Sequence, residues 1–147
     1  MLIGISGDAN IGKDTVAEYL CTLDTRFSIR KFATGVRKVV SMLTNIPPEN
    51  MLTLEEKSFN IDKSFTLLQF KSLLSDGIML ITNQFPDKIL DVQSLEFVNG
   101  TNVKLSCTIG KLLQVIGAFF RNFIDKDTWV NYLFSEFDNF IIISDVK

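Results

Sequence analysis

Apolar and polar positions along this chain fall into a few stretches with a clear period. Leu2, Ile3, Gly4, Ile5 and Ser6 make a short apolar run bounded by glycine, which reads as a buried parallel strand. Val16, Ala17, Leu20 and Cys21 recur at helical spacing with Glu18 outward, predicting a helix over 13–22. Residues 28–32 read as a second strand, shorter and more exposed. Ala33, Thr34 and Gly35 then turn into a helix over 36–45, which Pro47 and Pro48 stop. From 49 to about 76 the pattern is helical but broken, with an apolar face of Leu67, Leu68, Phe70, Leu73 and Leu74 that Asp76 and Gly77 end. Residues 78–81 are strand-like, and 96–104 read as a hairpin with Asn99 and Gly100 at its turn. Thr108 is an N-cap for a helix face of Ile109, Leu112, Leu113 and Ile116, which 118–121 leave. Asp125 or Asp127 starts a further helix with Trp129, Val130, Leu133 and Phe134 inward. Phe140, Ile141, Ile142 and Ile143 lead through Ser144 to Asp145, an apolar run closed by an acid, as in a central parallel strand.

The first two elements enclose Gly7-Asp8-Ala9-Asn10-Ile11-Gly12-Lys13. Strand, G-x-x-x-x-G-K and helix in succession are the phosphate-binding loop in its required context. Gly7 and Gly12 allow a tight turn whose N–H groups face inward, the helix N-terminus adds donors and a positive dipole end, and Lys13 reaches the terminal phosphates. The residue after the lysine is Asp14 rather than Ser or Thr, followed by Thr15. Asp14 either holds Mg²⁺, directly or through water, or is a first-turn acid complementing the helix dipole, while Thr15 is placed to bond an α-phosphate. Asp145, at the carboxyl end of its strand, is the matching candidate for the metal, against the plainer reading of an acid that opens a turn.

Composition narrows the remaining classes. A chain of 147 residues with 46% hydrophobic content and thirteen Phe is one globular domain by length. A net charge of −2 leaves no footprint for nucleic acid and no basic run for an anionic membrane, so a nucleotide must be met by a few local cations. Cys21 and Cys107 stand in unrelated contexts and histidine is absent, which argues against zinc, a disulfide and the usual acid–base residue. With no basic leader and no apolar run long enough to span, the cytoplasm is the expected compartment.

Four blocks together resemble the deoxynucleoside monophosphate kinases of bacteriophages and large DNA viruses. Gly12-Lys13-Asp14-Thr15 matches that family's G-K-D-T. Phe32-Ala33-Thr34-Gly35-Val36-Arg37-Lys38 is similar to its F-A-x-x-(L/V)-(K/R) segment. Leu112-Leu113-Gln114 with Gly117, Arg121 and Trp129-Val130 resembles its L-L-Q-x-x-G…R…W-V block, and Ile143-Ser144-Asp145-Val146-Lys147 its I-(S/T)-D-V-R strand end. The resemblance implies a P-loop NTPase fold, three-layer α/β/α around a parallel sheet, with 1–49 and 107–147 as core and 50–106 as an acceptor-side insertion. It implies transfer of the γ-phosphoryl of ATP to a deoxynucleoside 5′-monophosphate, in the host cytoplasm if the chain is viral. ATP phosphates would be bound by Gly7, Asn10, Gly12, Lys13, Asp14 and Thr15, and Mg²⁺ by Asp14 and Asp145. Lys13, Arg121 and Asp145 would serve the transfer, and Arg37 and Arg121 the acceptor phosphate, for which a guanidinium offers two parallel bonds.

Alternatives stand beside several of these roles. Arg37 also reads as a solvated helix cation, whereas Arg121 stands amid Phe119, Phe120 and Phe123, an odd setting for an unused charge. Gln114 is either a reader of the acceptor base or a helix-surface amide, and Trp129 is core before it is a stacking platform. Lys147 stands where the family carries Arg, and neither the mobile lid nor the outer strands of such kinases are within these residues. The strand over 140–144 is thus expected to be central with a bare edge. Either another chain, such as a second copy, completes the fold or the product is truncated. A G-K-D loop also occurs in animal-type phosphomevalonate kinases, so a phosphomevalonate or dephospho-coenzyme A kinase is the competing enzyme. An inactive nucleotide-binding module is the competing non-enzyme.

Overall fold

The computed structural model describes residues 1–8, 11–86, 90–135 and 140–146, with Asp145 and Val146 described by backbone alone. In order, the elements are β1 (Leu2–Ser6), α1 (Lys13–Leu23), β2 (Ser28–Arg30), α2 (Ala33–Thr44), a 3-10 turn (Pro48–Asn50), α3 (Leu54–Lys57), β3 (Asn60–Thr66), α4 (Leu67–Thr82), β4 (Val98–Asn99), β5 (Asn102–Thr108), α5 (Ile109–Phe123), α6 (Thr128–Ser135) and β6 (Ile141–Val146). The chain is mixed α/β and divides into two compact units, residues 1–34 with 130–147, and residues 35–129.

The first unit is built on a parallel sheet in the order β1-β6-β2. The middle strand is the apolar run at the end of the sequence, and its position explains its composition: Ile141, Ile142 and Ile143 are each at most 4% exposed. Ile141 and Ile143 pack with Leu133 of α6 and with Phe32. By strand alternation Ile142 and Ser144 face the other side, where the Ser144 hydroxyl bonds Asp14 of α1. Each face of the sheet therefore carries a helix. Phe27 and Phe140 meet edge to face at 5.4 Å, and Ser28 N–H donates to the Phe140 carbonyl, so the starts of β2 and β6 are held in register.

Three sequence expectations change in this unit. β1 is parallel but not buried; it forms one edge of the sheet, and Leu2 is 57% exposed. Correspondingly β6 has no bare edge, being paired on both sides. β2 is three residues long, and Lys31 and Phe32 lie beyond its end.

The second unit carries an antiparallel sheet, β3-β5-β4, with helices. Thr66 starts α4 with a full capping box: its hydroxyl accepts from Gln69 N–H while the Gln69 side chain accepts from Thr66 N–H. Thr108 caps α5 through Lys111 N–H, as its sequence position predicts. The core contains Phe70, Leu74 and Ile78 from α4, Ile109, Leu112, Ile116 and Phe120 from α5, and Val39, Val40 and Leu43 from α2, all at most 2% exposed. Trp129 is core as expected, stacked on Phe120 at 5.1 Å with its indole N–H donating to the Gly117 carbonyl.

Here the sequence reading of 49–81 is corrected. A seven-residue strand, β3, stands inside the supposedly helical stretch, and α4 runs through Asp76 and Gly77 to Thr82, absorbing the predicted strand over 78–81. Gly77 is no stop: a Cβ there would meet Val39 at 3.0 Å and Phe120 at 3.4 Å, so glycine serves close packing. The hairpin over 96–104 is present, with the turn one residue later, at Gly100 and Thr101 between the paired Asn99 and Asn102. α5 extends to Phe123, and in α6 Trp129 and Leu133 are buried while Val130 and Phe134 are exposed. Among the described residues no helix is long and apolar enough to cross a membrane.

Candidate functional site

The carboxyl end of the parallel sheet is where ligand sites of open α/β sheets lie, and the chain leaves β1 there into residues 7–12. Gly7 has φ +150 and Gly12 has φ +88, conformations that side chains rarely adopt. A Cβ on Gly7 would overlap the Ile11 side chain. Gly7→Ala is expected to cost about 1–3 kcal/mol of stability, as held backbone strain does, measurable by urea denaturation. Asn10 lies outside the described residues.

Gly12 is the N-cap of α1 and brings no side chain to the helix start, leaving first-turn N–H groups for another acceptor. Lys13 opens the helix half-buried, and its ammonium donates to the Gly7 carbonyl at 2.6 Å. The lysine thus reaches from one end of the loop to the other. Thr15 is exposed in the same turn.

Asp14 is held on both oxygens. Ser144 Oγ donates to Oδ1 at 2.8 Å, and Lys31 Nζ donates to Oδ2 at 2.8 Å. Ser144 is 1% exposed on the central strand, whereas Asp14 and Lys31 are open to solvent in part. The hydrogen bonds from Lys31 and Ser144, helped by the charges of Lys31 and Lys13, hold the Asp14 carboxyl below its ordinary value against the opposing effect of burial. A pair this exposed contributes only about 0–1 kcal/mol to stability. Its significance is that it fixes a carboxylate and a second cation beside Lys13.

Lys31 and Ser144 were not singled out by sequence reasoning. The signal was present in principle, since both stand at carboxyl ends of parallel strands. It required knowing that β2 and β6 are neighbours.

Asp145 follows Ser144 on β6, with its side chain outside those described. The acceptor-side candidates belong to the second unit. Arg37 is half-buried on α2, with its Nε shut off from solvent. Gln114 is exposed on α5. Arg121 is exposed in the last turn of the same helix, where a cation complements the dipole. Its aromatic setting in the sequence is not a setting in space. Phe119 and Phe120 are buried and Phe123 stacks on Phe119 at 5.5 Å, while Arg121, a third of a turn on, points to water. Among the described residues no group of three or more His, Cys, Asp or Glu side chains is arranged to hold a metal.

No protein-family model matches this chain, and no curated protein sequence matches it.

Proposed function

We propose that this chain is a P-loop kinase of the nucleoside monophosphate kinase type, α/β/α in architecture, that transfers the γ-phosphoryl of ATP to a deoxynucleoside 5′-monophosphate. The observation that carries the reading is the reach of Lys13 across a glycine-hinged loop that joins a parallel strand to an uncapped helix N-terminus. An uncapped helix N-terminus beside an ammonium is a combination that suits a phosphate chain. In such a transfer the protein aligns donor and acceptor and neutralises charge. Lys13 exchanges its carbonyl partner for β- and γ-phosphate oxygens; for the acceptor the resemblance offers Arg37 and Arg121 for its phosphate and Gln114 for its base. We place the reaction in the cytoplasm, on free nucleotides, with a second copy of the chain as the candidate partner for the open edge of β1.

Mg²⁺ fits the residues present. Each Asp14 oxygen accepts one hydrogen bond and keeps a lone pair, and the side chain is 59% exposed. Mg²⁺ commonly takes one or two carboxylates and leaves its other positions to water and phosphate. Asp14, Thr15 and Asp145 would hold it, and when bound it supplies charge neutralisation on the phosphate oxygens.

The test is ATP consumption by the purified chain against deoxynucleoside monophosphates, phosphomevalonate and dephospho-coenzyme A. Turnover with one deoxynucleotide is the expected result. Turnover with either other acceptor reassigns the substrate class. ATP binding without turnover on any acceptor identifies a nucleotide-binding module instead.

A further inference from the structure

We propose that Lys31 is a second phosphate-binding cation of this site, stationed there by the Asp14 carboxylate, which Ser144 holds in turn. The inference rests on the nucleotide reading above and assigns work to two residues outside the loop. A polyphosphate needs several positive charges, and a chain of net charge −2 has no general field to supply them. Lys13 is one. Lys31 follows the last residue of β2, the strand paired with β6, so it stands at the ligand-binding end of the sheet. Its ammonium is 2.8 Å from the carboxylate of the residue next to Lys13.

The arrangement also resolves a conflict of charge. A bare carboxylate beside the phosphate lysine would repel the nucleotide, and Lys31 cancels that repulsion. An ammonium has three donors, so one can stay on Asp14 while others turn to phosphate oxygen. Ser144 makes the placement definite. A carboxylate this exposed would otherwise sample several rotamers, but a hydroxyl buried on the central strand bonds its other oxygen. The central strand, the first turn of α1 and the end of β2 thus form a relay that ends in a positioned cation.

The experiment measures affinity for ATP, inorganic triphosphate and adenosine by calorimetry, in chelator and across a salt series, so that no metal contributes. Lys31→Met is expected to weaken ATP and triphosphate binding about ten- to hundredfold, the range for a lost charge-assisted hydrogen bond, and to flatten the salt dependence. Lys31→Arg should retain most of the affinity. Ser144→Ala should lose affinity in the same direction by less, with Ser144→Thr restoring it. Adenosine binding should not follow these changes, which separates a phosphate cation from a merely structural ion pair. If Lys31→Met binds triphosphate as tightly as the wild type while Lys13→Ala does not, this inference falls and the nucleotide reading stands. If the wild type binds neither ATP nor triphosphate, both fall.

Discussion

Lys13→Ala is expected to abolish measurable phosphoryl transfer and to weaken ATP binding by at least about a hundredfold. The ammonium reaches across the loop to the Gly7 carbonyl, with a bond of 2.6 Å. Bound phosphates would take that bond and share the charge. Losing a cation aimed at developing charge typically lowers rates by roughly 10²–10³-fold, because nothing mobile in water replaces a fixed donor inside a site. The fold should be indifferent to the change, since Lys13 is only half-buried and its partner is a solvent-accessible carbonyl. The check is paired: calorimetric titration with ATP, and a thermal melt that should move by no more than a few degrees. A variant that melts normally and still binds ATP at full strength would contradict the assignment of the loop.

Phe120→Ala addresses stability rather than chemistry, and its expected cost is about 3–5 kcal/mol, the range for emptying a buried aromatic position. Phe120 is fully buried, with its ring stacked on Trp129 at 5.1 Å and edge-on to Phe119 at 6.2 Å. Gly77 leaves the room that the ring fills on its α4 side. Because α4 was brought close to Phe120 by having no Cβ at that point, the pocket has little freedom to collapse around the deletion. Against a total stability of about 5–15 kcal/mol, such a loss is a large fraction. The midpoint of thermal unfolding should fall by roughly ten degrees or more. Trp129 is the sole tryptophan of the chain and touches the deleted ring, so its fluorescence reports both the melt and the local change. A shift of under two degrees would mean that the second unit is not organised around this contact.

The two predictions divide along the line between local and non-local information. The strand β1 and the helix that opens at Lys13 were legible because their signals lie within residues 2–20: a short apolar run, two glycines five apart and a helical period. The same holds for the Thr108 cap, which satisfies a donor three residues away. The central place of Ile141, Ile142 and Ile143 was legible because a strand covered on both faces cannot carry polar residues at alternate positions.

Other features were not written locally. The run at Leu2 looks the same whether the strand is central or at an edge, and only its pairing with β6 alone leaves Leu2 exposed. In β3, Ile61 and Phe65 share the inward face with Lys63, so the apolar alternation is broken by a charge, and the helices on either side further obscured its period of two. Asp76 and Gly77 have the composition of a helix stop, yet glycine there lets Val39 and Phe120 pack closely, since a Cβ would stand 3.0 Å from Val39 and 3.4 Å from Phe120. Arg121 was read from neighbours in the chain, which a helix turns away from one another.

By itself, then, the sequence determined the first strand and its following helix, the Thr108 cap and the apolar strand that the sheet is built on, because each depends on contacts within a turn or two. Tertiary structure alone decided that Ser144 and Lys31 meet Asp14, a hydroxyl and a carboxylate 130 residues apart. No period or spacing encodes that meeting. It exists because parallel pairing puts the carboxyl ends of β2 and β6 side by side and lays α1 across them.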